Sequence, residues 1–316
     1  MNHVMEDNPL ISYVVTTYNI EKFVQESVEC AFAQTYTPLE IVLSDDCSSD
    51  RTFEIMQKMA RGYKGQHKIV LNRNSSNLGI TRHMNKAYME LAAGRIIVAA
   101  HGDDISLPER TQKSYEYLVT HPDITAVSFS IDIIDESGNA LPSPDVMVDK
   151  IHIYDFNSLG SIPAPSRCFY KKVMDEFGPL KENCPTEDEI ISFRSLIQGK
   201  NALLPDKMVK YRKHCGSSSN PENFSKFPLD LILSQQDADM MLAVNNGWIT
   251  DMQRSNTYAV LKSNMLKRRA YRVYFTSRKI KDLTKLIAFP EISLRTRLHY
   301  IKEHFKYIKV KYEKKA

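Results

Sequence analysis

Two adjacent carboxylates, Asp103 and Asp104, follow an apolar run from Ile96 to Ala100 that is bounded by Gly94 and Gly102. Such a run reads as a short buried strand of a parallel sheet. Ligands of open α/β sheets bind beyond the carboxyl ends of such strands. Side by side, two carboxylates repel, so they need a cation or hydrogen-bond donors nearby. A hard divalent ion bridging phosphate oxygens would serve. Taken alone, the pair also suits a solvated turn with a helix cap. It is not alone, however. Asp45 and Asp46 end the run Leu39–Leu43, Glu187 and Asp188 open a later helical segment, and His214 follows another apolar stretch. Three separate acidic sites and a histidine at strand and helix ends are the convergent titratable set expected of a functional site.

The intervening sequence supplies elements to position them. Strands are expected at Leu10–Val15, Leu39–Leu43, Lys68–Leu71, Ile96–Ala100, Ala126–Ile131, Arg167–Lys171 and Ala202–Tyr211. Helices are expected at Glu21–Gln34, from an Asp50 cap to Ala60, at Thr81–Ala93, from Pro108 to Val119, and at Thr186–Gln198. Alternation of this kind means a mostly parallel sheet with helices on its faces, an α/β fold. Residues 135–165 are rich in Pro, Asp, Ser and Gly, and a loop of that length is more often functional than structural. After Pro228 the pattern turns helical. The Ser-rich stretch Gly216–Asn220 suggests a border, giving a catalytic domain over 1–225 and a helical basic region over 226–316.

Composition narrows the class. The chain has 316 residues, 42% hydrophobic and 25% charged, as ordinary globular proteins do. No run approaches the length of a membrane-crossing helix, and no signal-peptide pattern is seen, so a cytoplasmic location is expected. Five scattered cysteines without CxxC spacing argue against a structural zinc site and fit a reducing compartment. The net charge of +4 is unevenly spread. Leu261–Ala316 holds seventeen Lys and Arg against four Asp and Glu, a net of +13, so the remainder carries −9.

Several segments together resemble the family 2 glycosyltransferases. They are Ile11–Asn19, Gln34-Thr35-Tyr36, Glu40–Asp50, Asn77-Leu78-Gly79, Gly94–Ile97, His101–Pro108, Glu187-Asp188 and Tyr211–His214 with Ser217–Ser219. Their order over residues 10–220 carries the specificity. The resemblance implies a GT-A fold and inverting transfer from a nucleotide-diphosphate sugar, with UDP the expected nucleotide and Mg²⁺ or Mn²⁺ the expected cofactor. It also implies roles. Thr16 and Tyr18 would border the nucleotide, Asp46 would bond the base, and Arg82 would approach the diphosphate. Asp103 would contact nucleotide and metal, with Asp104 and His214 as further metal-side residues. Asp188 would be the general base, supported by Glu187. The acceptor would be a hydroxyl of a glycan or a lipid-linked glycan. The family commonly has Asp-x-Asp at the metal turn, and His101 stands here in place of the first Asp. It reads as a ligand, a nucleotide contact or a spacer, with a spacer the first expectation.

Other classes fit less well. A nucleotidyltransferase needs a glycine-rich loop after the first strand, where this chain has Thr16-Thr17-Tyr18-Asn19, and no GxGxxG supports a dinucleotide oxidoreductase. A catalytically inactive nucleotide-sugar-binding protein remains the competing reading. At the other end, Leu294, Leu298, Ile301, Phe305, Ile308 and Tyr312 recur at helical spacing among Lys and Arg. That basic amphipathic helix either packs on the protein's own core, associates with itself, or lies on an anionic membrane surface as a peripheral contact. No aromatic-basic module suggests nucleic acid.

Overall fold

The computed structural model describes residues 8–142, 148–184, 186–215, 228–290 and 292–313. The Ser-rich stretch and the expected border at 225/226 fall outside these residues, as do Ser217–Ser219.

The strands are β1 (Ile11–Thr17), β2 (Leu39–Asp45), β3 (Lys68–Arg73), β4 (Ile96–His101), β5 (Ile105–Ser106), β6 (Ile124–Ile134), β7 (Ala140–Leu141), β8 (His152–Tyr154), β9 (Cys168–Tyr170) and β10 (Lys200–Arg212). The helices are α1 (Val24–Phe32), α2 (Thr52–Gly62), α3 (Ile80–Asn85), α4 (Arg110–Thr120), α5 (Lys172–Asp175), α6 (Glu187–Gln198), α7 (Leu229–Asn245), α8 (Asp251–Ser277), α9 (Ile280–Ile287) and α10 (Leu294–Glu313). One sheet runs β3-β2-β1-β4-β9-β6-β10-β5, with β7 on β6 and β8 on β10.

β1, β2, β3 and β4 are parallel, and β6 is parallel to β10. β9 enters antiparallel between β4 and β6, and this makes the sheet mixed. Both faces of the central strands are covered, so these strands are mostly apolar rather than alternating, and the buried Ser12 and Glu40 among them bond each other at 2.6 Å. Tyr13, Val15, Ile41, Leu43, Ile96 and Val98 pack with α1, α2 and α4 on one side. Val14, Val42, Ile97 and Ala99 pack with α3, α6 and the start of α7 on the other.

Register then places chemistry. Thr17 lies opposite Asp45, and Thr16 opposite His101, so three polar strand ends share one edge. β5 pairs antiparallel with the end of β10, Lys210 against Ile105, and brings the residues after Arg212 beside the acidic turn.

Most expected elements form, with shifted ends. The helix expected at Thr81–Ala93 begins at Ile80, and its second half, Lys86–Leu91, is π-helical, closed by Ala92 N–H to the Ala87 carbonyl at 3.1 Å. α2 starts at Thr52, whose N–H still donates to Asp50 Oδ1 at 3.0 Å. β5, α5 and α9 are too short to stand out by periodicity. The expected 135–165 loop contains β7 and β8.

The C-terminal helices attach through side chains. α7 docks on α6, and Thr250 and Gln253 form a reciprocal cap that starts α8. α8, α9 and α10 share a small core of Tyr274, Leu283 and Leu286, with Tyr300 and Ile301 packed against it. The α10 stripe is thus divided. Ile301 faces this core, while Leu294, Leu298 and Phe305 are 72%, 56% and 62% exposed.

Candidate active site

The acidic turn is held by close backbone contacts. Gly102 donates its N–H to the Thr16 carbonyl at 3.0 Å. A Cβ there would stand 2.4 Å from Ile20 Cδ1 and 2.6 Å from Thr17 Cγ2, so only glycine fits without displacement. Asp103 emerges from this turn and accepts a hydrogen bond from His214 Nε2 at 2.9 Å. Burial works to raise the Asp103 carboxyl. The His214 bond and the positive influence of His101 and His214 outweigh it and hold the group below its ordinary value. Asp104 turns inward. Its Oδ1 accepts from Arg212 N–H at 2.9 Å, and its Oδ2 is buried without a hydrogen-bond partner. Burial first, then the charge of Asp103, push its carboxyl well above the ordinary range. His101 Nδ1 lies 3.7 Å from that unpaired oxygen, and burial lowers the affinity of the imidazole for a proton.

His101, Asp103 and Asp104 each offer a ligand atom within 4.8 Å of the others. An unpartnered buried carboxylate oxygen among two oxygen donors and an imidazole suits Mg²⁺ or Mn²⁺. His214 reaches the same place through Asp103. His101, first expected to be a spacer, thus stands within reach of both carboxylates.

On the nucleotide side, Asp46 accepts from Asn74 Nδ2 at 2.8 Å and Leu78 N–H at 2.9 Å through Oδ1, and from Gly79 N–H at 3.0 Å through Oδ2. Gly79 sits at φ +76°, a conformation that glycine adopts readily. Asp46 thereby ties the Asn77-Leu78-Gly79 loop to the strand ends. Thr16, Tyr18, Asp46 and Gly79 line one cleft. Arg82 is not among its lining residues. Its Nε donates to the Leu78 carbonyl at 3.0 Å and its guanidinium is half-exposed near Glu182.

Glu187 and Asp188 open α6 on the same cleft, which holds about 1870 Å³. Asp188 Oδ1 accepts Glu189 N–H at 2.8 Å. Burial, and then the charge of Asp188, push the Glu187 carboxyl up to about 7. Asp103 and His214 line the cleft too, whereas Asp104 lies beneath its wall. Leu159–Ser161 and Pro163–Pro165 of the long loop contribute to the lining, as does α8 through Met265, Arg268 and Tyr271.

Some residues that matter receive no role of their own from the sequence. Arg212 is buried. It donates Nε to the Asp103 carbonyl at 2.9 Å, Nη2 to Glu26, and Nη1 to the carbonyls of Asp135 and Glu136, while its guanidinium lies 5.0 Å from the Phe23 ring centroid. It pins the acidic turn to α1 and to the end of β6. Its membership of the Tyr211–His214 segment is its signal in sequence. Arg167 is buried, interacts electrostatically with Asp188 and Glu187, and donates Nη2 to the Ile162 carbonyl at 3.0 Å. Arg110 is fully buried and donates to the Ala99 and Arg167 carbonyls. Nothing local in the sequence distinguishes either arginine from a surface one. His83 also lines the cleft, its Nε2 2.8 Å from Ser44 Oγ.

Comparison with known proteins bears on the family and the fold. An uncharacterized glycosyltransferase of Haemophilus influenzae is 25% identical over 327 aligned positions, spanning 96% of this chain and 97% of that protein. An uncharacterized glycosyltransferase of Nostoc sp. is 21% identical over 311, spanning 92% of each. Among solved structures, S. aureus TarS residues 1–349 in complex with UDP-GlcNAc superposes with a TM-score of 0.63 at 16% identity, covering 93% of this chain and 80% of that one. Mannosyltransferase PcManGT from Pyrobaculum calidifontis, in complex with GDP-Man and Mn²⁺, gives 0.56 at 14%, covering 94% and 86%. These two establish the GT-A architecture. The profile described as "Glycosyl transferase family 2" matches residues 12–180, more than half the chain, and with the ordered strand ends and the acidic cleft it follows that this chain belongs to glycosyl transferase family 2.

Proposed function

We propose that this glycosyltransferase moves a sugar from a UDP-sugar to a hydroxyl of a glycan or lipid-linked acceptor, with inversion, and that Asp188 is the general base. One observation carries the reading: Asp188 lines the same cleft as Asp103, His214, Thr16 and Asp46. A carboxylate base and a turn suited to hold a divalent cation on one cleft are what displacement of a nucleoside diphosphate by an acceptor hydroxyl requires. The likeness in fold to structures that hold UDP-GlcNAc and GDP-Man with Mn²⁺ supports a nucleotide-diphosphate sugar as donor.

Thr16, Tyr18 and Asp46 would receive the nucleotide, Asp46 offering the base whatever acceptor capacity the loop leaves it. Arg82 would have to leave the Leu78 carbonyl to reach a diphosphate. Asp103 and Asp104, with His214 and His101 beside them, would hold Mg²⁺ or Mn²⁺. When bound, such an ion supplies Lewis-acid stabilisation of charge on the departing diphosphate. Asp188 takes the proton of the acceptor hydroxyl as the oxygen attacks, its carboxylate oriented by the Glu189 N–H. Glu187, part-protonated near neutrality, limits the negative charge next to that base. Attachment to the inner face of the cell membrane would suit a lipid-linked acceptor.

The test is turnover of UDP-sugars with Mn²⁺ and an acceptor panel, comparing wild type with Asp188→Asn. Loss of a general base is expected to slow transfer roughly 10²-fold or more while metal-dependent UDP binding persists. If the wild type binds UDP and never turns over, or if Asp188→Asn transfers at the wild-type rate, the assignment fails.

A further inference from the structure

The outward half of α10 has no role in the transfer site. Leu294, Leu298 and Phe305 are 72%, 56% and 62% exposed, and at about 100° per residue they fall within about 40° of one another. Arg295, Lys302 and Lys306 are exposed and fill the adjoining sector of the helix. Glu303 is the one acid between residues 294 and 308; it lies beyond the basic row and reaches Lys306 at 4.0 Å. The inward flank is already engaged. Tyr300 and Ile301 pack on the core of α8 and α9, His304 is buried, and Arg297 donates to the carbonyls of Phe289 and Ile292. Packing on the protein's own core therefore accounts for one flank and leaves the other uncovered.

We infer that this flank docks the enzyme on an anionic phospholipid bilayer. An apolar strip edged by a row of cations is the layout of a helix lying in the membrane interface, with the apolar groups among the acyl chains and the cations at the headgroups. The charge of the region is complementary, since Leu261–Ala316 carries a net of +13 on a chain whose remainder carries −9. A second copy of the chain is disfavoured by the same fact, because two such flanks would oppose cation to cation with no acids to pair them. No helix among the described residues is long and apolar enough to cross a membrane, so contact through this flank would be peripheral.

Docking also has a consequence for the substrate, which rests on the transfer reading above. Tyr300 on the other flank of α10, with Leu286 and Ile292, lines the cleft that contains Asp188. α10 thus lies between the cleft and the bilayer, and a lipid-linked acceptor could enter without leaving the surface.

The experiment is co-sedimentation of the full chain with phosphatidylcholine vesicles with and without phosphatidylglycerol, with UDP-sugar hydrolysis measured on the same samples. Binding is expected only with phosphatidylglycerol and should weaken at high salt. Leu298→Glu with Phe305→Glu, and separately Lys302→Glu with Lys306→Glu, should each lower binding roughly tenfold or more with hydrolysis unchanged. Absence of wild-type binding, equal binding to neutral vesicles, or full binding by both variants would overturn the inference. So would a dimer in solution that Leu298→Glu with Phe305→Glu dissociates. Hydrolysis without vesicle binding removes the docking surface and leaves the transfer reading standing. Vesicle binding without turnover does the reverse.

Discussion

The guanidinium of Arg194, in the helix that begins with Glu187 and Asp188, lies against the carboxylate of Asp239 in α7. The pair is completely enclosed: Nε to Oδ2 is 2.9 Å and Nη2 to Oδ1 is 3.0 Å, with both side chains buried. Gln235 Nε2 donates to the same carboxylate at 2.8 Å, and Arg194 also reaches the Gly178 carbonyl. The helix that carries Glu187 and Asp188 and the first helix of the C-terminal region are thus joined by a two-point charged contact without solvent.

Removing one partner of such a pair strands a buried charge. Asp239→Ala is expected to cost roughly 3–5 kcal/mol of folding stability, read as a lowered midpoint in urea. Arg194→Met with Asp239→Leu should recover much of that loss, since no charge is then left unpaired. A chain ending at 225 would leave Arg194 in the same state, so the expected division into 1–225 and 226–316 predicts a soluble fragment only if this contact is dispensable. We expect the fragment to aggregate. A soluble, cooperatively unfolding 1–225 would show that the two regions are independent domains.

Glu187 gives a pH signature. Its folded-state carboxyl is raised to about 7, above the ordinary 4.5, by burial and the neighbouring Asp188. A raised carboxyl is neutral without penalty at pH below the unfolded value. Stability is therefore full in acid and falls as pH rises from about the unfolded to the folded value, where the group must ionise in place. Glu187→Gln removes that ionisation. Thermal unfolding should show the variant gaining on wild type at pH 8 relative to pH 5. A constant difference across this range would mean the carboxyl titrates normally.

Gly102 tests how tightly the acidic turn is set. Gly102→Ala would put a methyl group within 2.6 Å of Thr17 Cγ2 and 2.4 Å of Ile20 Cδ1. The Ile20 end can rotate away, but Thr17 is held by its bonds to Ser44 and Asp45. Overpacking is expected to cost roughly 1–3 kcal/mol and to displace Asp103. Calorimetric titration should find weaker Mn²⁺ binding in the presence of UDP. Unaltered affinity together with wild-type stability would mean the turn has slack.

The amino-acid sequence by itself determined the α/β plan and the acidic strand ends. Buried parallel strands are apolar along most of their length and the chain becomes polar where each one stops, so Ile96–Ala100 followed by Asp103 and Asp104 is legible without coordinates. The ordered segments from Ile11 to His214 were sufficient to indicate the family. Tertiary structure decided what those residues touch. That Asp104 turns inward, that His101 joins the Asp103 cluster, and that Arg82 stays on Leu78 depend on register and loop packing that no local pattern encodes. Arg167 and Arg110 look like surface arginines in sequence, and nothing local shows that Arg212 of the Tyr211–His214 segment is buried, because burial of a charge depends on partners distant along the chain. The α10 stripe makes the same point from the other side. Its spacing fixes a helix with one apolar face, but only the packing of α8 and α9 against part of that face determines that Leu294, Leu298 and Phe305 are left outside.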